Sequence, residues 1–255
     1  MPQDRDIQVH LSPELVPAGI LAGCLAVCID VLRATTTIVH ALAAGCTDVR
    51  PCADLDEARR LADSMRAGRV LLGGERDGKP LPDFDLGNSP GEYTARNCKG
   101  STLVLTTTNG TRALARAAEA DRVLIAAFVN FSAVCEQLRQ DRRPLHIVCA
   151  GQSGAPTLED TLLAGGLVDV VCEEMETRLN DSARLAWDCF ENHGRLLGGA
   201  LEISNSGVGL CELGYAADLA AAAEVDKFNL VPELRRDPLR LEVGAVGIVK
   251  SRWQK

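Results

Sequence analysis

CLAVCIDVLRATTTIVHALAAG, residues 24–45, carries two kinds of order side by side. Cys24–Val31 is an almost unbroken apolar run, as in a strand covered on both faces. Thr35–Ala44 then reads as a helix, and Gly45 ends it. The same alternation extends in both directions. Strands are predicted at Ile7–Leu11, Asp48–Cys52, Arg69–Gly73, Thr102–Thr107, Arg122–Phe128, Leu145–Ala150 and Val243–Val249. Helices are predicted at Leu55–Arg66, Thr111–Ala120, Ser132–Arg139, Leu158–Glu176, Ala183–Leu196 and Gly209–Ala223. Strands alternating with helices imply a three-layer α/β/α domain over residues 1–255 with a mainly parallel or mixed sheet. Gly73–Gly91 reads as a long Gly- and Pro-rich loop, and loops of that length are often functional.

Composition narrows the function. The chain has 255 residues, 27 Lys plus Arg and 35 Asp plus Glu, so the formal net charge is 27 − 35 = −8. Hydrophobic residues at 46% and charged residues at 24% fit a soluble globular protein and exclude a disordered or fibrous one. The acidic balance argues against general nucleic-acid binding. With only 2 Trp, 2 Tyr and 5 Phe, base-stacking platforms are also unexpected. No stretch reaches the roughly 20 apolar residues of a membrane helix. Met1–Asp6 carries acids where a secretory leader has bases, so a cytoplasmic protein is expected. In a reducing compartment most of the ten cysteines read as small core hydrophobes. No Cys/His cluster has zinc spacing.

In open α/β sheets, ligands bind beyond the carboxyl ends of strands. The residues following the apolar runs here are small, hydroxylic, amide or acidic. Asp30 ends the most apolar run, where a carboxylate is costly unless paired or bound to a cation. Arg33 either pairs with it or grips an anionic oxygen while Asp30 holds a hard cation. Glu75, after Gly73-Gly74, is either a second acid on that rim or a solvated loop residue. Asp160 either closes a capping box begun at Thr157 or binds metal. Thr107, Thr108, Asn109, Gly110 and Thr111 precede a helix and have the makings of an anion cradle, or of an ordinary N-cap.

Two phosphatase-like spacings carry less weight. Cys189 and Arg195 have Cys-x5-Arg spacing but sit in a helical pattern, where no loop of N–H groups can lower a thiol pKa. Asp54-Leu55-Asp56 looks like a helix cap with an acidic first turn. No Gly-rich dinucleotide fingerprint follows a strand.

VCIDVLRATTTIVHALAAG (27–45), GGERDGKPLPDFDLGNSP (73–90), LTTTNGTRAL (105–114), AAFVNFSAV (126–134) and CAGQSGAPTLEDTLLAG (149–165) together resemble the 2-phosphosulfolactate phosphatase, or ComB, family. SNSGVGLCELGYAADL (204–219) is a weaker match. The resemblance implies a fold distinct from the common phosphatase folds. It also implies a Mg²⁺-dependent phosphomonoesterase that converts (2R)-O-phospho-3-sulfolactate to (2R)-3-sulfolactate and phosphate, a step of coenzyme M biosynthesis. On this reading some of Asp30, Glu75 and Asp160 hold the Mg²⁺ ion, since one or two carboxylates plus the substrate's phosphate suffice. Arg33 and Thr107–Thr111 stabilise the phosphoryl oxygens. Asn88, Asn130 and Gln152 orient substrate oxygens, and Arg76 and Lys79 meet the second anion. The expected partner is a small phosphorylated anion, with a homodimer allowed, and neither nucleic acid nor membrane. The alternative is a binding protein that holds such an anion without turnover.

Overall fold

The computed structural model describes residues 4–65, 68–244 and 253. Its strands are β1 (Arg5–His10), β2 (Leu25–Ile29), β3 (Asp48–Pro51), β4 (Arg69–Arg76), β5 (Lys79–Pro80), β6 (Ser101–Thr106), β7 (Arg122–Ala126), β8 (Leu145–Cys149), β9 (Thr177–Leu179), β10 (Pro232–Arg235) and β11 (Arg240–Val243). The helices are α1 (Ala34–Ala43), α2 (Leu55–Ser64), α3 (Ala95–Cys98), α4 (Gly110–Ala117), α5 (Phe131–Gln140), α6 (Leu158–Cys172), α7 (Asp181–His193), α8 (Leu197–Ile203), α9 (Asn205–Glu212) and α10 (Ala216–Ala222). Among the described residues no helix is long and apolar enough to cross a membrane.

All five residues of β2 are buried, because the strand is covered on both faces. Successive side chains of a strand point to opposite faces. Leu25, Val27 and Ile29 join Leu138 of α5, Leu163 and Leu167 of α6 and Ala183 of α7 in one core. Ala26 and Cys28 join Ile38 and Leu42 of α1 and Leu114 of α4 in the other. The result is the three-layer α/β/α arrangement read from the sequence.

The strand order is β5-β4-β6-β3-β11-β10-β7-β2-β8-β1-β9. Two parallel groups, β4-β6-β3 and β7-β2-β8-β1-β9, are joined by the antiparallel hairpin β10–β11. The hairpin is also antiparallel to β7 on one side and to β3 on the other. Three antiparallel steps reverse the sense, so the two parallel groups run in opposite directions. In a flat sheet their carboxyl ends would lie on opposite edges. Instead the sheet wraps one shared core: Val49, Leu103 and Leu105 from one group pack with Cys28, Ile125 and Val148 from the other, around α1 and α4.

Several boundaries differ from the sequence reading. The sequence pattern predicts no strand at Pro232–Arg235, because the outward positions of the hairpin are charged; Leu234 and Leu241 point inward, while Arg235 pairs with Glu233 and Glu242. The strand expected at Val243–Val249 falls mostly on residues 245–250, outside the described residues. Gly73–Gly91 is less irregular than expected, since β4 runs on to Arg76 and turns into β5. The helix expected at Gly209–Ala223 breaks into α9 and α10 at Gly214, whose φ is +88°. The helix expected to reach Glu176 stops at Cys172, and Thr177–Leu179 pairs with β1. Asp54 caps α2 by accepting from Glu57 N at 2.8 Å, and Cys189 lies inside α7, so neither phosphatase-like spacing forms a phosphate loop.

Candidate active site

The carboxyl ends of β2, β4, β6 and β8 open into one cavity of about 170 Å³. Asp30 and Arg33 enter it after β2, Glu75 from the end of β4, Thr108 and Asn109 after β6, and Gln152 after β8. Asn88 and Asp160 complete the group of sequence-predicted residues on its wall.

Each carboxylate is held differently. Asp30 is 7% exposed and takes one hydrogen bond, from Ala34 N to Oδ1 at 3.2 Å. Burial pushes its carboxyl up to about 7, against the Ala34 bond and with help from the charges of Glu75 and Glu159. Asp160 accepts from Val31 N at 2.9 Å and from Gly151 N at 3.1 Å. It therefore ties the chain leaving β2 to the chain leaving β8, and the capping-box reading fails: the Thr157 side chain makes no cap bond. Burial, then the charges of Glu159 and Asp30, hold the Asp160 carboxyl well above the ordinary carboxylate range.

Glu75 is not solvated. Its Oε1 accepts from Thr108 N at 2.7 Å, and its Oε2 from Gly78 N at 2.8 Å and the Thr108 hydroxyl at 3.1 Å. The side chain reaches β6 because Gly74 lets the two backbones touch. A Cβ on Gly74 would sit 1.9 Å from Thr106 O, and its φ of +140° also excludes other residues.

Arg33 does not pair with Asp30. Its Nη1 donates to Asp218 Oδ2 at 2.9 Å and to Ser89 Oγ at 3.3 Å, its Nη2 to Gly78 O at 2.7 Å, and its guanidinium lies 4.7 Å from the Tyr215 ring centre. Ser89 Oγ donates to the same Asp218 oxygen at 2.8 Å. Asp218 comes from α10, 185 residues along the chain, so no local pattern could have named it.

Other predicted residues fall outside the cavity. Thr107 Oγ1 accepts from Thr111 N and Thr111 Oγ1 donates to Thr107 O, at 3.1 and 2.8 Å, so both serve as caps of α4. Gly110 lies against Asp30: a Cβ there would be 2.6 Å from Asp30 Oδ2. Asn130 is fully buried elsewhere, where it accepts from Ala127 N and donates to Ile125 O and Leu230 O. It locks the turn after β7 and does not line the cavity. Arg76 and Lys79 do not line the cavity. Strand alternation puts Arg76 opposite Glu75, where it bonds Glu75 O and Thr106 Oγ1. Lys79 is exposed on β5.

The sequence reading left out Asp77, Glu159 and the wall given by α9, with Ser206, Gly209 and Leu210. Glu159 is disguised as a favourable first-turn acid of α6. Among the described residues, no three of His, Cys, Asp and Glu form a closed metal cage; Glu75 accepts three hydrogen bonds and keeps one acceptor site, whereas Asp160 accepts two and keeps one on each oxygen. A Mg²⁺ ion needs fewer protein ligands, since it keeps several waters. The donor set suits such an ion: Asp30, Asp160 and Glu159 are buried together, and Arg33 on the same wall is already ion-paired to Asp218.

A family model described as 2-phosphosulpholactate phosphatase matches residues 10–237. A protein of Symbiobacterium thermophilum named probable 2-phosphosulfolactate phosphatase is 41% identical over 217 residues, covering 85% of this chain and 93% of the relative. Relatives with the same name from Caldanaerobacter subterraneus and Gloeobacter violaceus are 35% and 39% identical, covering 84% and 89% of this chain and 89% and 94% of their own lengths. With the match running from the end of β1 past β10, and so through every strand end that opens on the cavity, the chain belongs to the 2-phosphosulfolactate phosphatase family.

Proposed function

We propose that this chain is a Mg²⁺-dependent phosphomonoesterase of the cytoplasm. Its substrate is (2R)-O-phospho-3-sulfolactate or a closely related small phosphorylated acid, and its products are phosphate and the free hydroxy acid, as in coenzyme M biosynthesis. One observation carries the reading: buried carboxylates crowd the cavity while the arginine on its wall is neutralised by Asp218. Such a site repels an anionic ester unless a cation stands between them.

Asp30 and Asp160 would hold the ion, which would supply positive charge for the phosphoryl oxygens and a place for a water. Asp160 takes two backbone N–H groups, so its carboxylate is fixed before substrate arrives. Glu75 fixes Thr108 and, through it, the start of α4. Asn109, the residue before α4, stands on the cavity wall, so the positive end of that helix adjoins the ester. Gln152 offers an amide to a substrate oxygen.

The test is phosphate release from (2R)-O-phospho-3-sulfolactate. Release with Mg²⁺ that EDTA abolishes is expected. Asp30→Asn should lower kcat on the order of 10²-fold or more while the circular dichroism spectrum is kept. A folded, fully active Asp30→Asn overturns the assignment, and calorimetric binding of the ester without turnover points to a binding protein instead.

A further inference from the structure

Two side chains on the cavity wall are left unused by this reading. Glu159 comes from the first turn of α6 and Asn88 from the loop that follows β5. They are 2% and 5% exposed, yet Glu159 Oε2 and Asn88 Oδ1 accept no hydrogen bond. An unsatisfied buried acceptor is costly, and more so when charged. The site is not loosely built in general, since Glu75 accepts three hydrogen bonds and Asp160 two.

Both orphan atoms are acceptors. A phosphate, sulfonate or carboxylate cannot satisfy them, because such groups bring acceptors of their own. A hard cation can, since it takes carboxylate and amide oxygens together with water. Arg33, the basic residue on the cavity wall, donates to Asp218, Ser89 and Gly78 instead.

We infer that Glu159 and Asn88 are ligands of the divalent ion, joining Asp30 and Asp160, and that Glu75 stands outside the ligand set and positions Thr108. The inference rests on the cation-dependent reading above and says which side chains meet the ion.

The experiment is calorimetric titration of the intact chain with Mn²⁺, in the absence of substrate, with a thermal melt at each metal concentration. Glu159→Gln keeps the shape and removes the charge. It should weaken Mn²⁺ binding by at least about 10-fold and suppress the metal-dependent rise in Tm. Asn88→Ala should weaken binding by about the same factor. Glu159→Asp, which keeps the charge and shortens the reach, should fall between wild type and Glu159→Gln, and serves if the Gln variant does not fold. If the wild type takes up Mn²⁺ and a variant binds it as tightly, that residue is not a ligand and the inference fails there while the phosphatase reading stands. If the wild type itself binds no Mn²⁺, the cation-dependent reading and this inference fail together.

Discussion

Asp30 shows what one position in the chain can and cannot reveal. An acid closing the most apolar run was legible as a special residue, because burying a carboxylate there is costly. That cost predicts a pH effect on stability. The folded-state pKa of Asp30 is raised to about 7 from 3.8, so between those values the folded protein holds the proton more tightly than the unfolded chain. Its contribution to stability therefore falls as pH rises through that window and is level above it. Metal-free Asp30→Asn should gain on wild type between about pH 4 and pH 7, by about 4 kcal/mol in urea melts. A difference that does not change with pH would mean that the buried carboxylate is not strained. Asp160 was legible only as one of two readings, a capping-box acid or a metal ligand. Glu159 was not, because an acid in a first turn already has an adequate local explanation.

At the scale of elements, the wall formed by α9 and α10 depends on a clasp. Arg33 follows β2, Ser89 lies in the loop before α3, and Asp218 sits on α10; all three are buried and meet through one carboxylate oxygen. Gly78, in the turn between β4 and β5, adds its carbonyl to the same guanidinium. Removing one partner of a buried ion pair leaves an uncompensated charge. Asp218→Ala should cost about 3–5 kcal/mol of stability, and amide exchange should quicken across residues 205–222. A loss below about 1 kcal/mol would mean that the pair behaves as a screened surface contact. None of this was readable locally, since the sequence pattern ran α9 and α10 together and offered Asp30 as the obvious partner for Arg33.

Across the whole molecule, the two cores account for the cysteines. All ten are free thiols: seven are buried, Cys172 and Cys189 are partly covered, and Cys211 is exposed. Burial pushes the Cys46 and Cys52 thiols up to about 12, and those of Cys28 and Cys149 well above the ordinary range. A thiol reacts as its thiolate. Ellman's reagent should therefore modify one thiol quickly, about two more slowly, and the remainder only on unfolding with guanidinium. Fast reaction of four or more in the native protein would contradict this packing.

The sequence by itself determined the layered α/β class, the course of most strands and helices, the core role of cysteine and the residue types gathered at the strand ends. Apolar periodicity and the cost of buried charge act over a few neighbouring residues, so they can be read from a string of letters. Only the tertiary structure decided that two opposed parallel groups, joined by a charged hairpin, curl until their carboxyl ends share one cavity. It alone also placed Asp218 against Arg33, Thr108 against Glu75 and Asn130 outside the site. Those outcomes depend on contacts between distant segments, which form only when the whole sheet closes around its core.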